Sequence, residues 1–224
     1  MKKFLSVMLA LAMAMSLAAC GGSSSSSDNS GSSDSQSSSD STSGNKVVKL
    51  GVFEPQTGDN GAGGKQEILG MQYANYVQPT VLEIVDNRTT PENGPSAAAE
   101  LVNRGVSVVM GSYGSGVSMA GGEVFSQAGM PAIGTSCTNP NVTADCDVYF
   151  RLAFLDPFQG TVMANYAFKN GAKSAAVITQ LGDDYSSGLG CYFKEAFAKL
   201  GGNIVSEEQF QTNQTDFKAI LTNI

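Results

Sequence analysis

From residue 46 to residue 224, short apolar runs of strand length alternate with longer segments of helical period. Gly, Pro, Ser or Asn stands at nearly every junction. Such alternation confines a chain to an α/β architecture, in which a parallel sheet is covered by helices on both faces. Strands are expected at 46–53 (KVVKLGVF), 80–86 (TVLEIVD), 106–111 (VSVVMG), 130–134 (MPAIG), 148–154 (VYFRLAF), 173–180 (KSAAVITQ) and 203–210 (NIVSEEQF). The first is bounded by Glu54-Pro55.

The intervening helices carry their own stop signals. The first places Leu69, Tyr73, Tyr76 and Val77 on one face and stops at Pro79. Pro95 opens and Gly105 closes the next. A third runs over about 116–128, and a fourth lies within LDPFQGTVMANYAFKNG and stops at Gly171. A fifth carries Leu189, Phe193, Ala196 and Leu200 at spacings of four, three and four, and ends at Gly201-Gly202. The last starts at Thr215 or Asp216 with Phe217, Ile220, Leu221 and Ile224 in register. No cap follows, so the chain reads as the N-terminal part of a longer one.

Residues 1–45 have no place in that alternation. Lys2 and Lys3 precede an apolar run that ends at Cys20, too short for a stable spanning helix and patterned as an export signal over 1–20. Leu17-Ala18-Ala19-Cys20 resembles the lipobox of bacterial lipoproteins, which makes Cys20 the expected lipidation site. One acyl chain holds a protein at a membrane only marginally, whereas the diacylglyceryl group of such lipoproteins suffices. Between Gly21 and Gly44, 14 of 24 residues are serine and none is apolar, so 21–45 reads as a tether. Its typical span is roughly 27 Å.

Composition narrows the function further. The formal charge of −7 is a poor match for phosphate backbones, so no nucleic acid partner is expected. The sequence has no histidine, which excludes Ser-His-Asp and Cys-His catalysis and His-ligated zinc within this stretch. Cys137 and Cys146 could close a short loop or stay free, and no cysteine spacing fits a CxxC metal or redox site. TGDNGAGGK is no dinucleotide fingerprint, because Gln66 stands where a third glycine is needed. Asp183 and Asp184 read as a helix N-cap with first-turn charge rather than a catalytic pair. No enzyme activity, cofactor or metal is expected.

Four loops follow strand ends: TGDNGAGG (57–64), GSYGSG (111–116), TSCTNP (135–140) and GDDYSSG (182–188). Small residues let backbone N–H groups approach a ligand, hydroxyls donate hydrogen bonds, and a helix N-terminus favours an anion. Together the loops suit a small carboxylate at the carboxyl edge of the sheet. Ser136 and Thr138 would donate there, with Cys137 turned to the other side.

KLGVFEPQTGDNGAGGKQEILGMQYA, VVMGSYGSGVSMA, MPAIGTSCTNPNVT, YFRLAFLDPFQGTVMANYA and LGDDYSSGLGCYFKEAF resemble the substrate-binding proteins of ABC transporters for branched-chain amino acids. The resemblance spans about 46–224. It implies the two-lobed periplasmic binding protein type I fold, with lobe 1 over 46–155 and the first part of lobe 2 over 156–224. It also implies a monomeric, lipid-anchored extracytoplasmic protein that captures leucine, isoleucine or valine and hands it to an ABC permease and its ATPase. Another neutral amino acid, an amide or urea on the same frame, or a sensing lipoprotein, are the alternatives. By the same resemblance Ser115 and Thr138 hold the ligand carboxylate, backbone groups of Ser136 assist, and Tyr185 reaches over from lobe 2. Two departures stand out: Gly63 replaces an aromatic of relatives, and the acidic group for the ligand ammonium falls beyond 224.

Overall fold

A computed structural model describes residues 47–224. The expected signal segment, Cys20 and the tether lie outside the described residues. Among these residues, five parallel strands form one sheet: β1 (Lys49–Glu54), β2 (Val81–Asp86), β3 (Val108–Met110), β4 (Ala132–Gly134) and β5 (Tyr149–Arg151), in the order β2-β1-β3-β4-β5. A second parallel sheet pairs β6 (Ser174–Gln180) with β7 (Asn203–Phe210). The helices are α1 (Gly61–Val77), α2 (Gly94–Asn103), α3 (Ser115–Ala128), α4 (Asn141–Ala144), α5 (Asp156–Lys169), α6 (Asp184–Lys199) and α7 (Lys218–Thr222).

The expected α/β alternation is therefore present, with shorter β3, β4 and β5 than the apolar runs that announce them. Side chains alternate across the first sheet. Phe53, Val85, Val109 and Ala132 join Ala98 and Leu101 of α2 and Val117 and Phe125 of α3 in one core. Phe53 and Phe125 meet edge to face at 5.4 Å. Val52, Leu82, Ile84 and Met110 turn the other way, onto Ile68 and Met71 of α1.

α1 thus corrects the expected face. Its buried residues are Gly61, Gly64, Ile68 and Met71, whereas Leu69, Tyr73, Tyr76 and Val77 are exposed, Tyr76 to 84%. The cause is close approach: a Cβ on Gly64 would lie 2.1 Å from the Pro55 carbonyl oxygen, so the side facing the sheet carries small residues. On α6 the expected stripe is only half-buried, while Gly190 and Phe197 are buried, Phe197 stacked on Phe193 with centroids 5.4 Å apart. α7 is shorter than expected. Phe217 precedes it and packs on Phe210, and only Ile220 of its apolar residues is buried. Cys137, Cys146 and Cys191 are free thiols, and burial pushes the Cys137 pKa up.

Leu101→Ala is expected to cost about 3 kcal/mol, as for other buried leucines. Tyr76→Ala should change stability by less than about 0.5 kcal/mol. Urea unfolding of the two variants checks both values, and the Tyr76 value tests whether that face of α1 is exposed.

Candidate functional site

The order of the first sheet reverses at β1, so the connections after β1 and β3 leave on opposite faces and open a crevice at their carboxyl ends. A cleft of about 660 Å³ lies there, lined by Ser115, Ser136 and Thr138 from the first sheet's loops and by Tyr185 beyond β6. All four residues singled out in the sequence thus face one space.

Each offers a different group. Ser115 opens α3, whose first main-chain hydrogen bond runs from Ser118 N to Gly114 O, so the N–H groups of Ser115, Gly116 and Val117 have no partner within the helix. Its hydroxyl accepts from Asn139 N at 3.3 Å and keeps its own hydrogen to donate. The Thr138 hydroxyl is buried beside the Asp156 carboxyl and makes no hydrogen bond of ordinary geometry among the described residues. The Ser136 hydroxyl is already committed to Glu67, so the backbone N–H is what this residue offers to the cleft. Tyr185, in the first turn of α6, accepts from Gln159 Nε2 at 3.0 Å and remains over a third exposed.

Sequence reasoning treated Glu54 as a strand boundary and passed over Glu67. The structure makes Glu54 the last residue of β1 and buries it fully. Its Oε2 accepts from Tyr113 N at 2.8 Å, and its Oε1 lies 3.1 Å from Thr135 Oγ1. Glu67 of α1 bonds both the Thr135 and Ser136 hydroxyls. Burial, reinforced by Glu67, pushes the Glu54 pKa up to about 10. Gly111, at φ +116°, makes room for this carboxyl. A Cβ there would meet Phe53 O at 2.3 Å and Glu54 Oε1 at 2.6 Å. A charged residue closing an apolar run was the available signal.

Gly63 also finds its reason. A Cβ at this position would lie 2.5 Å from Tyr113 Cε2, so the tyrosine ring from the loop after β3 covers the glycine. Tyr113 lines the cleft and is 41% exposed. An aromatic wall is therefore present, supplied by a different loop.

The acidic turn before α6 behaves as its sequence indicates. Asp183 is the N-cap and accepts from Ser186 N at 2.8 Å. Asp184 lies over the first turn of α3, where a Cβ on Gly116 would be 2.8 Å from Asp184 Oδ2, and its carbonyl accepts from Asn139 Nδ2 at 2.9 Å. At the crossover between the sheets, Asp156 opens α5 with a fully buried carboxyl that makes no hydrogen bond of ordinary geometry among the described residues. Burial raises its pKa.

This sheet order, with polar loops gathered at its reversal point and a second parallel sheet beyond a crossover, is the α/β fold of the type I solute-binding proteins. The chain belongs to the periplasmic binding protein family, whose model matches residues 47–224. It is 32% identical over 188 residues to Leu/Ile/Val-binding protein homolog 3 of Brucella melitensis, covering 79% of this chain and 51% of that one. It resembles the crystal structure of the leucine binding protein LivK of Thermotoga maritima at 35% identity and TM-score 0.75, covering 79% of this chain and 52% of that one. A solute binding protein of Rhodopseudomonas palustris, solved with 3,4-dihydroxybenzoic acid, matches at 27% identity and TM-score 0.69, covering 78% and 50%. The chain thus spans about half the length of the relatives it matches.

Two glycine-to-alanine changes at the cleft should separate sharply. Gly111→Ala meets backbone at a positive φ and is expected to cost about 3 kcal/mol. Gly63→Ala meets only the exposed ring of Tyr113, which has solvent to swing into, and should cost less than about 1 kcal/mol. Denaturation midpoints measured side by side check the contrast.

Proposed function

We propose that this chain is the ligand-capturing part of an extracytoplasmic binding protein for a small carboxylate, with leucine, isoleucine or valine as ligand. The observation that carries the reading is the convergence on one cleft of the α3 N-terminus at Ser115, the buried Thr138 hydroxyl, and Tyr185 from beyond the crossover. A carboxylate placed there would take hydrogen bonds from Ser115, from the first-turn amides of α3, from Thr138 and from Ser136 N. Tyr113, lying on Gly63, would meet the aliphatic side chain, and Tyr185 would close over it.

In this reading residues 46–155 form one lobe and 156–224 begin the second. Closure about the crossover buries the ligand, and no bond in it is made or broken. A diacylglyceryl group on Cys20 and the serine-rich 21–45 segment would hold a monomeric domain within reach of an ABC permease and its ATPase. The name of the Brucella relative and that of the Thermotoga structure support the amino acid; the Rhodopseudomonas complex supports only the carboxylate.

Thermal melting of the full chain with L-leucine, L-leucinamide and 3,4-dihydroxybenzoate at millimolar concentration tests the assignment. L-leucine should raise the melting temperature, the amide should not, and Ser115→Ala or Tyr185→Ala should weaken L-leucine binding about tenfold. Stabilisation by dihydroxybenzoate alone would keep the carboxylate site and reject the amino acid. Equal stabilisation by leucine and leucinamide would reject the carboxylate site itself.

A further inference from the structure

Three oxygen–oxygen contacts join Glu54, Glu67, Thr135 and Ser136: Thr135 with Glu54 at 3.1 Å, Thr135 with Glu67, and Ser136 with Glu67. Two hydroxyls supply two hydrogens, and a carboxylate supplies none. Three hydrogen bonds therefore need a third hydrogen, carried by one of the two carboxyls. With the Ser136 and Thr135 hydroxyls donating to the two oxygens of Glu67, the remaining hydrogen sits on Glu54, within reach of Thr135 Oγ1 and of the Glu67 carboxylate beside it. Glu54 Oε2 then stays free to accept from Tyr113 N, as the 2.8 Å contact requires.

The surroundings favour the same count. None of the ion pairs among the described residues includes Glu54 or Glu67. Around Glu54 the titratable groups are Glu67 on α1, the buried Cys137 thiol after β4 and Tyr149 on β5, all neutral or anionic. Tyr149 donates its hydroxyl hydrogen to Gly111 O at 2.5 Å. Asp86, beside Glu54 on β2, spends its carboxylate on Thr57 and on the amides of Gln56 and Arg88. Two adjacent carboxylates with no cation between them would repel, and retaining one proton relieves this.

We propose that Glu54 and Glu67 share one proton and act as a positioning pair, holding the loops after β3 and β4 at the spacing the ligand needs. The pair touches Tyr113 on one loop and Thr135 and Ser136 on the other, and it reaches the ligand only through them. The proposal rests on the binding reading above for its consequence, but the shared proton itself is read without ligand.

The test uses the full chain with Glu54→Gln and Glu67→Gln. A carboxyl whose pKa is raised on folding contributes stability that is fully present below its unfolded value and is lost as pH rises toward its folded one. The melting temperature of the parent protein should therefore fall relative to Glu54→Gln as pH goes from 5 to 9. The amide resonances of Tyr113 and Ser136 should follow an alkaline titration in the parent and not in Glu54→Gln. At pH 7, Glu67→Gln should bind L-leucine about tenfold more weakly than Glu54→Gln, because it replaces one of the two oxygens that accept from Thr135 and Ser136 with an NH2 donor.

Parallel melting curves for parent and Glu54→Gln across pH 5 to 9 would overturn the shared proton. Equal leucine affinities of the two variants would overturn the positioning role. If the parent binds no leucine, the binding reading has failed, while the melting curves and the two amide titrations still decide whether the pair holds a proton and whether it governs the loops.

Discussion

The hydrogen bond from the Tyr113 N–H to the fully buried carboxyl of Glu54, 2.8 Å long, ties the end of β1 to the turn after β3 where the strand order reverses. A reversal point pulls its two flanking connections to opposite faces, so something must hold their near ends together if the gap is to be a shaped cleft. Glu54 does so at the cost of removing a carboxyl from water, which is tolerable only when its oxygens find partners. They find Tyr113 on one loop and Thr135 on the other, with Glu67 of α1 closing the group. Gly111 is the matching concession in the backbone, since any side chain there would occupy the space of that carboxyl.

The proposed capture would rely on what this bracing leaves free. The Ser136 hydroxyl is consumed by Glu67, whereas the Ser115 hydroxyl keeps its hydrogen and the Thr138 hydroxyl makes no hydrogen bond of ordinary geometry among the described residues. The first turn of α3 adds amides that have no partner within the helix, and the positive end of the helix. The proposed carboxylate would thus meet donors already fixed in place, which limits the ordering cost of binding. Beyond the crossover, Tyr185 and the acidic turn before α6 face the same donors.

The alternation of strands and helices and the four polar loops were legible because each depends on local chemistry: β-branched runs, proline and glycine stops, and small or hydroxyl residues at strand ends. The burial of α1 was not. Its inward side uses Gly61 to come close to Gln56 and Gly64 to come close to Pro55, so the apolar period visible in the sequence, Leu69, Tyr73, Tyr76 and Val77, marks the outward side. Glu54 escaped because a charge beside a proline reads as the end of a strand, and only the folded neighbourhood shows two loops bonded to it. Tyr113 escaped for a related reason, since its place over Gly63 joins residues 50 positions apart. The short α7 reflects packing that local period does not record, with Phe217 spent on Phe210.

The amides opening α3 are the proposed receivers of a ligand carboxylate. The most direct measurement is the shift of backbone amide resonances on adding L-leucine to the full chain. The largest changes should fall at Ser115, Gly116, Ser136 and Thr138, with saturation at a common affinity and no such pattern for L-leucinamide. Saturable changes elsewhere, with these four amides unmoved, would contradict it.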